Sequence, residues 1–116
     1  MDDFPPFMKH PADRISTSSQ ATSGAEGYVF DAAGGNQMAF WTCHESAAST
    51  PHVHDYDEYF VVVRGCYTLI IDGGRIPVRA GDEYFIPKGT WHGGEAVAGT
   101  RTIHCFGGRR VERSQS

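Results

Sequence analysis

Along most of this chain, apolar and polar residues alternate in short runs, and no segment sustains a helical repeat. The clearest run is Glu58-Tyr59-Phe60-Val61-Val62-Val63, rich in aromatic and β-branched side chains and closed by Arg64-Gly65. Residues 66–72 form the next strand, with Tyr67, Leu69 and Ile71 on one face and Thr68 and Ile70 on the other, because successive side chains of a strand point to opposite sides. Asp72-Gly73-Gly74 is a hairpin turn. It leads into 75–79, where Pro77 removes a ladder donor and marks an edge or irregular strand. Residues 83–87 are a short strand. Upstream, 26–33 and 37–43 are strands on either side of Gly34-Gly35-Asn36. Downstream, 100–106 is the last clear strand, with Thr102, His104 and Phe106 on one face and Arg101, Ile103 and Cys105 on the other. Residues 44–51 read as a loop and 93–99 as a flexible connector. Short strands at close spacing, separated by turn signals, predict an all-β barrel or sandwich.

The pattern weakens before residue 25. Phe4-Pro5-Pro6-Phe7-Met8 is apolar, but its prolines oppose a helix, and 16–24 is a polar, low-bulk linker. We therefore expect an extended or flexible arm over 1–24 and a single barrel domain over 25–116. The arm either docks on its own barrel or a neighbour's, or frays.

At 116 residues the chain supports one core. Its net charge of −4, from 10 basic and 14 acidic residues, argues against a nucleic-acid partner. The basic cluster Arg109, Arg110 and Arg113 is interrupted by Glu112 and reads as a solvated tail or an oligomer contact. No apolar run approaches the roughly 20 residues that span a bilayer, and the start lacks a basic and apolar leader, so no membrane partner and a cytoplasmic location are expected. Three cysteines, Cys43, Cys66 and Cys105, with no C-x-x-C pair fit reduced thiols.

Chemistry concentrates between residues 52 and 92. His52, His54, Glu58 and His92 offer three imidazoles and a carboxylate, a donor set accepted by a divalent first-row transition metal: Fe, Mn, Ni, Co, Cu or Zn. His52, His54 and Glu58 share parity, which in an extended chain turns all three to one side of a sheet. On a five- or six-coordinate ion, four protein ligands leave one or two positions open for substrate or water. Asp55, Asp57 and Glu95 flank the ligands and are candidates to orient their N–H groups. Tyr59, Tyr84 and Trp91 are candidate pocket walls. His104, if its strand face points inward, is a candidate catalytic acid or base. His44 lies in a polar stretch and reads as an exposed or structural histidine; His10 lies in the arm, away from the metal.

The spacing His52-x-His54-x(3)-Glu58-x(6)-Gly65, followed by Gly81-x(5)-Pro87-x-Gly89-x(2)-His92, resembles the paired motifs of the cupin superfamily. Ser46 and Ala96 stand where that pattern has a glycine and an asparagine. The resemblance covers roughly residues 38–106 and implies a jelly-roll barrel, a double-stranded β-helix, with a metal on those four residues. It also implies a small-molecule ligand or substrate and pairing as a homodimer. His104-Cys105-Phe106 with Arg110 is similar to the ending of small cupins that open unsaturated galacturonate, except that His104 stands in place of an aspartate. Two functions follow as expectations: a metal-dependent enzyme of dioxygenase or isomerase/lyase type acting on a small polar metabolite, or a non-catalytic cupin that binds a sugar or carboxylate. A storage role is a third.

Overall fold

The computed structural model describes residues 1–15 and 24–112. Its strands are β1 (Ala25–Asp31), β2 (Gln37–Cys43), β3 (Ala47–His52), β4 (Glu58–Arg64), β5 (Cys66–Ile71), β6 (Gly74–Arg79), β7 (Glu83–Ile86), β8 (His92–Ala96) and β9 (Arg101–Phe106). They build a five-stranded sheet, β1-β2-β9-β4-β7, and a four-stranded sheet, β3-β8-β5-β6, with every pairing antiparallel. This is the predicted all-β jelly-roll barrel. Among the described residues there is no α-helix, and none of their helices is long and apolar enough to cross a membrane.

Alternation along the strands decides what lies between the sheets. β4 buries Glu58, Phe60 and Val62, and β9 buries Thr102, His104 and Phe106. Phe60, Val62, Leu69, Ile71, Val78 and Ile86 form one apolar cluster, in which Phe60 and Leu69 are fully buried. Burying each such side chain is worth about 1.5–3 kcal/mol. Ile15, Val29, Ala39, Phe106 and Val111 form a second cluster. β6 lies at an edge, as Pro77 requires.

Two expectations need correction. Residues 44–51 are not only loop: β3 runs through them and pairs with β8. Its residues are small and polar, and as an edge strand it is only half-buried on one side, so it carries no apolar alternation to read. Residues 93–99 are not simply a connector either, because β8 holds Gly93, Gly94 and Glu95 between β3 and β5. The glycines make room for a neighbour. A Cβ on Gly94 would stand 2.0 Å from the Tyr67 hydroxyl oxygen. Strand propensity is low there, and ladders on both sides override it.

The arm lies against its own barrel. Phe4 is buried on Phe40, with ring centroids 5.6 Å apart. The Arg101 guanidinium sits over the Phe4 ring at 4.4 Å and donates to the Met1 carbonyl at 2.6 Å. Asp2 pairs with Arg64, and the Ile15 amide donates to Gly27 O at 2.8 Å. The prolines do not exclude every helical turn: Pro6–Met8 and Pro11–Asp13 are 3-10 turns with proline in their first positions, where a missing N–H matters least. Apart from Gly24, the expected linker lies outside the described residues, as does Arg113.

Candidate metal centre

His52, His54 and Glu58 do not share one face of one strand. His52 is the last residue of β3 and His92 the first of β8, and the two are register partners in the four-stranded sheet. Residues 53–57 then cross to the other sheet, and Glu58 opens β4 there. The four residues therefore come from both sheets, not from one face of one strand. The crossing is tied to the turn that delivers His92. Gly89, at φ +80°, donates its amide to the His54 carbonyl at 2.9 Å, and the Lys88 amide donates to Asp57 Oδ1 at 2.8 Å. A left-handed φ is open to glycine and strained for a residue with a Cβ.

His52, His54 and His92 form a group that could hold a metal ion. Each offers one ligand atom, and these atoms all lie within 4.8 Å of one another. Glu58 Oε1 stands 3.5 Å from His54 Nε2 and 3.6 Å from His92 Nε2. The far sides of the rings are held in place. His52 Nδ1 lies 2.8 Å from Thr50 O and His92 Nδ1 2.9 Å from Thr90 O. A carbonyl can only accept, so both Nδ1 atoms carry the proton and both Nε2 atoms keep a lone pair for a metal. His54 lies against Tyr56, with ring centroids 4.7 Å apart and the Tyr56 hydroxyl 3.0 Å from Nδ1. His54 Nε2 itself is buried and has no hydrogen-bond partner. A buried nitrogen left without a partner is costly, and a divalent ion would satisfy it. The residues present fit such an ion.

Electrostatics agree with this reading. Burial lowers the pKa of His52, and that of His54 down to about 4, which keeps these rings neutral as ligands must be. For His92 burial also pulls down, but the nearby Glu58 carboxylate and the Thr90 carbonyl outweigh it and raise the value. Burial pushes Glu58 up. Its contacts with His104 and His92 overcome that and hold the carboxyl well below the usual carboxylate range, so it is ionised. Burial pushes Tyr56 up to about 12.

The group opens on a cavity of about 80 Å³ walled by Trp41, Tyr67 and Phe106, with Thr102, His104 and Arg110 also lining it. A wider cleft continues outward past His54 and Arg110 to Asp55, Lys88 and Arg109. Among the described residues, Lys88, Arg109 and Arg110 form no ion pair with a carboxylate.

Several candidates fall elsewhere. Asp57 ties the two loops together, Glu95 pairs with Arg75, and Asp55 lines the outer cleft. Trp91 is 62% exposed, Tyr84 packs on the apolar cluster, and Tyr59 lines an outer groove with Phe85 and Cys105. His44 is exposed and 2.7 Å from Glu26, and His10 caps a 3-10 turn. The three cysteines are free, and burial raises the Cys43 and Cys105 thiols, which disfavours the nucleophilic thiolate. The orienting carbonyls of Thr50 and Thr90 are backbone groups with no side-chain signal of their own, although Thr50-Pro51-His52 and Thr90-Trp91-His92 repeat one spacing.

The family model described as "Cupin domain" matches residues 39–108. KdgF from Halomonas sp. superposes with a TM-score of 0.70 at 22% identity, over 84% of this chain and 86% of that one. An RmlC-like cupin from Shewanella frigidimarina gives 0.66 at 20% identity, over 81% and 92%. An oxalate oxidase in complex with the substrate analogue glycolate gives 0.62 at 20% identity, over 81% and 56%. No curated protein matches the chain.

Proposed function

The chain belongs to the cupin family, and from that premise we propose that it is a metal-dependent enzyme acting on a small anionic metabolite. We assign the ion to His52, His54, His92 and Glu58. The observation that carries this reading is the buried, unpartnered His54 Nε2 inside a cluster of three imidazoles and an ionised carboxylate. A divalent transition metal held there supplies Lewis acidity and an open position for a substrate oxygen.

The rest is done by this chain's own side chains. Arg110 reaches the cavity and lacks a carboxylate partner among the described residues, which suits it to hold an anionic group, in two parallel bonds if that group is a carboxylate. Lys88 and Arg109 extend that positive field along the entrance of an otherwise acidic protein. Trp41, Tyr67 and Phe106 keep water from the inner cavity. About 80 Å³ is well under the roughly 300–1,000 Å³ typical of sites for drug-sized ligands, so a molecule of few atoms is favoured. The solved oxalate oxidase with bound glycolate supports a small oxygen-rich ligand.

Elemental analysis of natively purified protein tests the metal. A thermal-shift screen of small mono- and dicarboxylates, with and without that metal, tests the ligand. We expect one of these acids to raise the melting temperature only in the metal-loaded protein, and Arg110→Ala to remove that rise. Finding no bound metal, or an equal rise in His52→Ala/His92→Ala protein, would overturn the proposal. Turnover of the acid that binds separates the enzyme from a binding module, and a redox-inactive native metal argues for isomerase or lyase chemistry over dioxygenation.

A further inference from the structure

His104 stands one strand away from Glu58. It is the cross-strand partner of Phe60 on β4 and of Ala39 on β2, near the middle of the five-stranded sheet. Its imidazole is stacked on Phe60 at 5.0 Å and an 18° interplanar angle, and lies near-parallel to Phe106 at 6.0 Å and 15°. Tyr67 meets it edge-on at 5.8 Å. Aromatic contacts on this scale lock the ring orientation. Both nitrogens then have partners. Nδ1 lies 2.8 Å from Glu58 Oε2, and Nε2 lies 3.0 Å from Thr102 Oγ1.

These two contacts assign the protons. An ionised carboxylate has only lone pairs, so the Nδ1–H of His104 donates to Glu58 Oε2. In the neutral ring Nε2 is then an acceptor, and the Thr102 hydroxyl donates to it. Glu58 is thereby divided: Oε2 is committed to His104, while Oε1 faces His54 and His92. Both nitrogens are thus engaged by protein groups, and the ring is fixed between Glu58 and Thr102.

We propose that His104 is a positioning residue: held by Thr102 and the flanking rings, it presents Glu58 to the metal through the single oxygen Oε1. This rests on the metal site proposed above and adds a residue that acts through one of its ligands. Partners of ligating groups typically change metal affinity by about 10- to 100-fold when removed.

The test is Co(II) titration of the metal-free protein, followed by visible absorption, for wild type, His104→Leu and His104→Asn. An asparagine amide can place an N–H near the lost Nδ1, so it serves as the conservative replacement. We expect His104→Leu to weaken Co(II) binding by about 10- to 100-fold and to alter the spectrum, and His104→Asn to recover most of both. In a Glu58→Gln background, His104→Leu should add little further loss, because its effect runs through the carboxylate. If His104→Leu does not fold, Thr102→Val, which removes the hydroxyl at nearly constant shape, is read in its place and should shift the same spectrum by a smaller amount. An unchanged affinity and spectrum in a folded variant overturns the inference, as does an equal loss with and without Glu58. A wild type that binds no Co(II) defeats the metal site itself, a separate result.

Discussion

Two regions of this barrel are built from the same strands and come out chemically opposite. On β4, inward Glu58 is followed by inward Phe60 and Val62; Leu69 and Ile71 of β5 join that apolar cluster, and Ile71 is the register partner of His92, so the two regions adjoin. The apolar region closes on itself, and every buried group there gains by leaving water. The polar region gathers half-buried His52 and His54 with buried His92 and Glu58, and leaves one nitrogen, His54 Nε2, without a hydrogen-bond partner. Apolar burial thus stabilises one region, while the other carries groups that could hold an ion.

The largest effect should come from breaking the apolar region. Phe60→Ala is expected to destabilise by about 3–5 kcal/mol in a denaturant titration, and a loss below about 1 kcal/mol would mean this cluster is not the core that holds the barrel. The polar region is expected to answer to metal instead. With metal at about 100 times its dissociation constant, the wild type should gain about 2.7 kcal/mol. His92→Ala should lose that gain, measured as the difference between melting temperatures with and without metal. An undiminished gain would place the ion elsewhere.

A smaller effect probes where the regions meet the sheet. Gly94→Ala drives a methyl into Tyr67 and should cost about 1–3 kcal/mol by thermal melting. The double variant with Tyr67→Ser should be less damaged than the sum of the two singles; strict additivity would mean the two residues do not meet. The smallest effect lies outside both regions. The Tyr28 hydroxyl, and after it His44, hold Glu26 below its ordinary 4.5. A carboxyl depressed in the folded state stabilises above its unfolded value, and that contribution disappears as pH falls through and below it. Glu26→Gln should therefore narrow the loss of unfolding free energy between pH 6 and pH 3, read from denaturant titrations at the two pH values, by under about 1 kcal/mol. An unchanged slope would remove Glu26 from the acid response.

Legibility followed the physics of each segment. Strands with apolar alternation, such as Glu58–Arg64 and Arg101–Phe106, could be read because burial on one face imposes a period of two. Ala47–His52 and His92–Ala96 could not, since small polar residues and glycines leave no such period and the ladder alone makes them strands. The inward face of β9 was legible; the engagement of His104 with Glu58 and Thr102 was not. The shared parity of His52, His54 and Glu58 was a true pattern with the wrong cause, because the chain changes sheets between them.

What the sequence determined by itself was local: which runs extend, where glycine lets the chain turn, and which residue types can bind a metal. Tertiary structure alone decided which oxygen of Glu58 faces the histidines, that the Thr50 and Thr90 carbonyls set two tautomers, and that Trp41 and Tyr67 wall the cavity in place of Tyr59 and Trp91. The reason is one of range. Backbone preference and burial period act between residues a few positions apart, whereas each of those outcomes depends on register between strands distant in the chain, which only the closed barrel brings within a few ångströms.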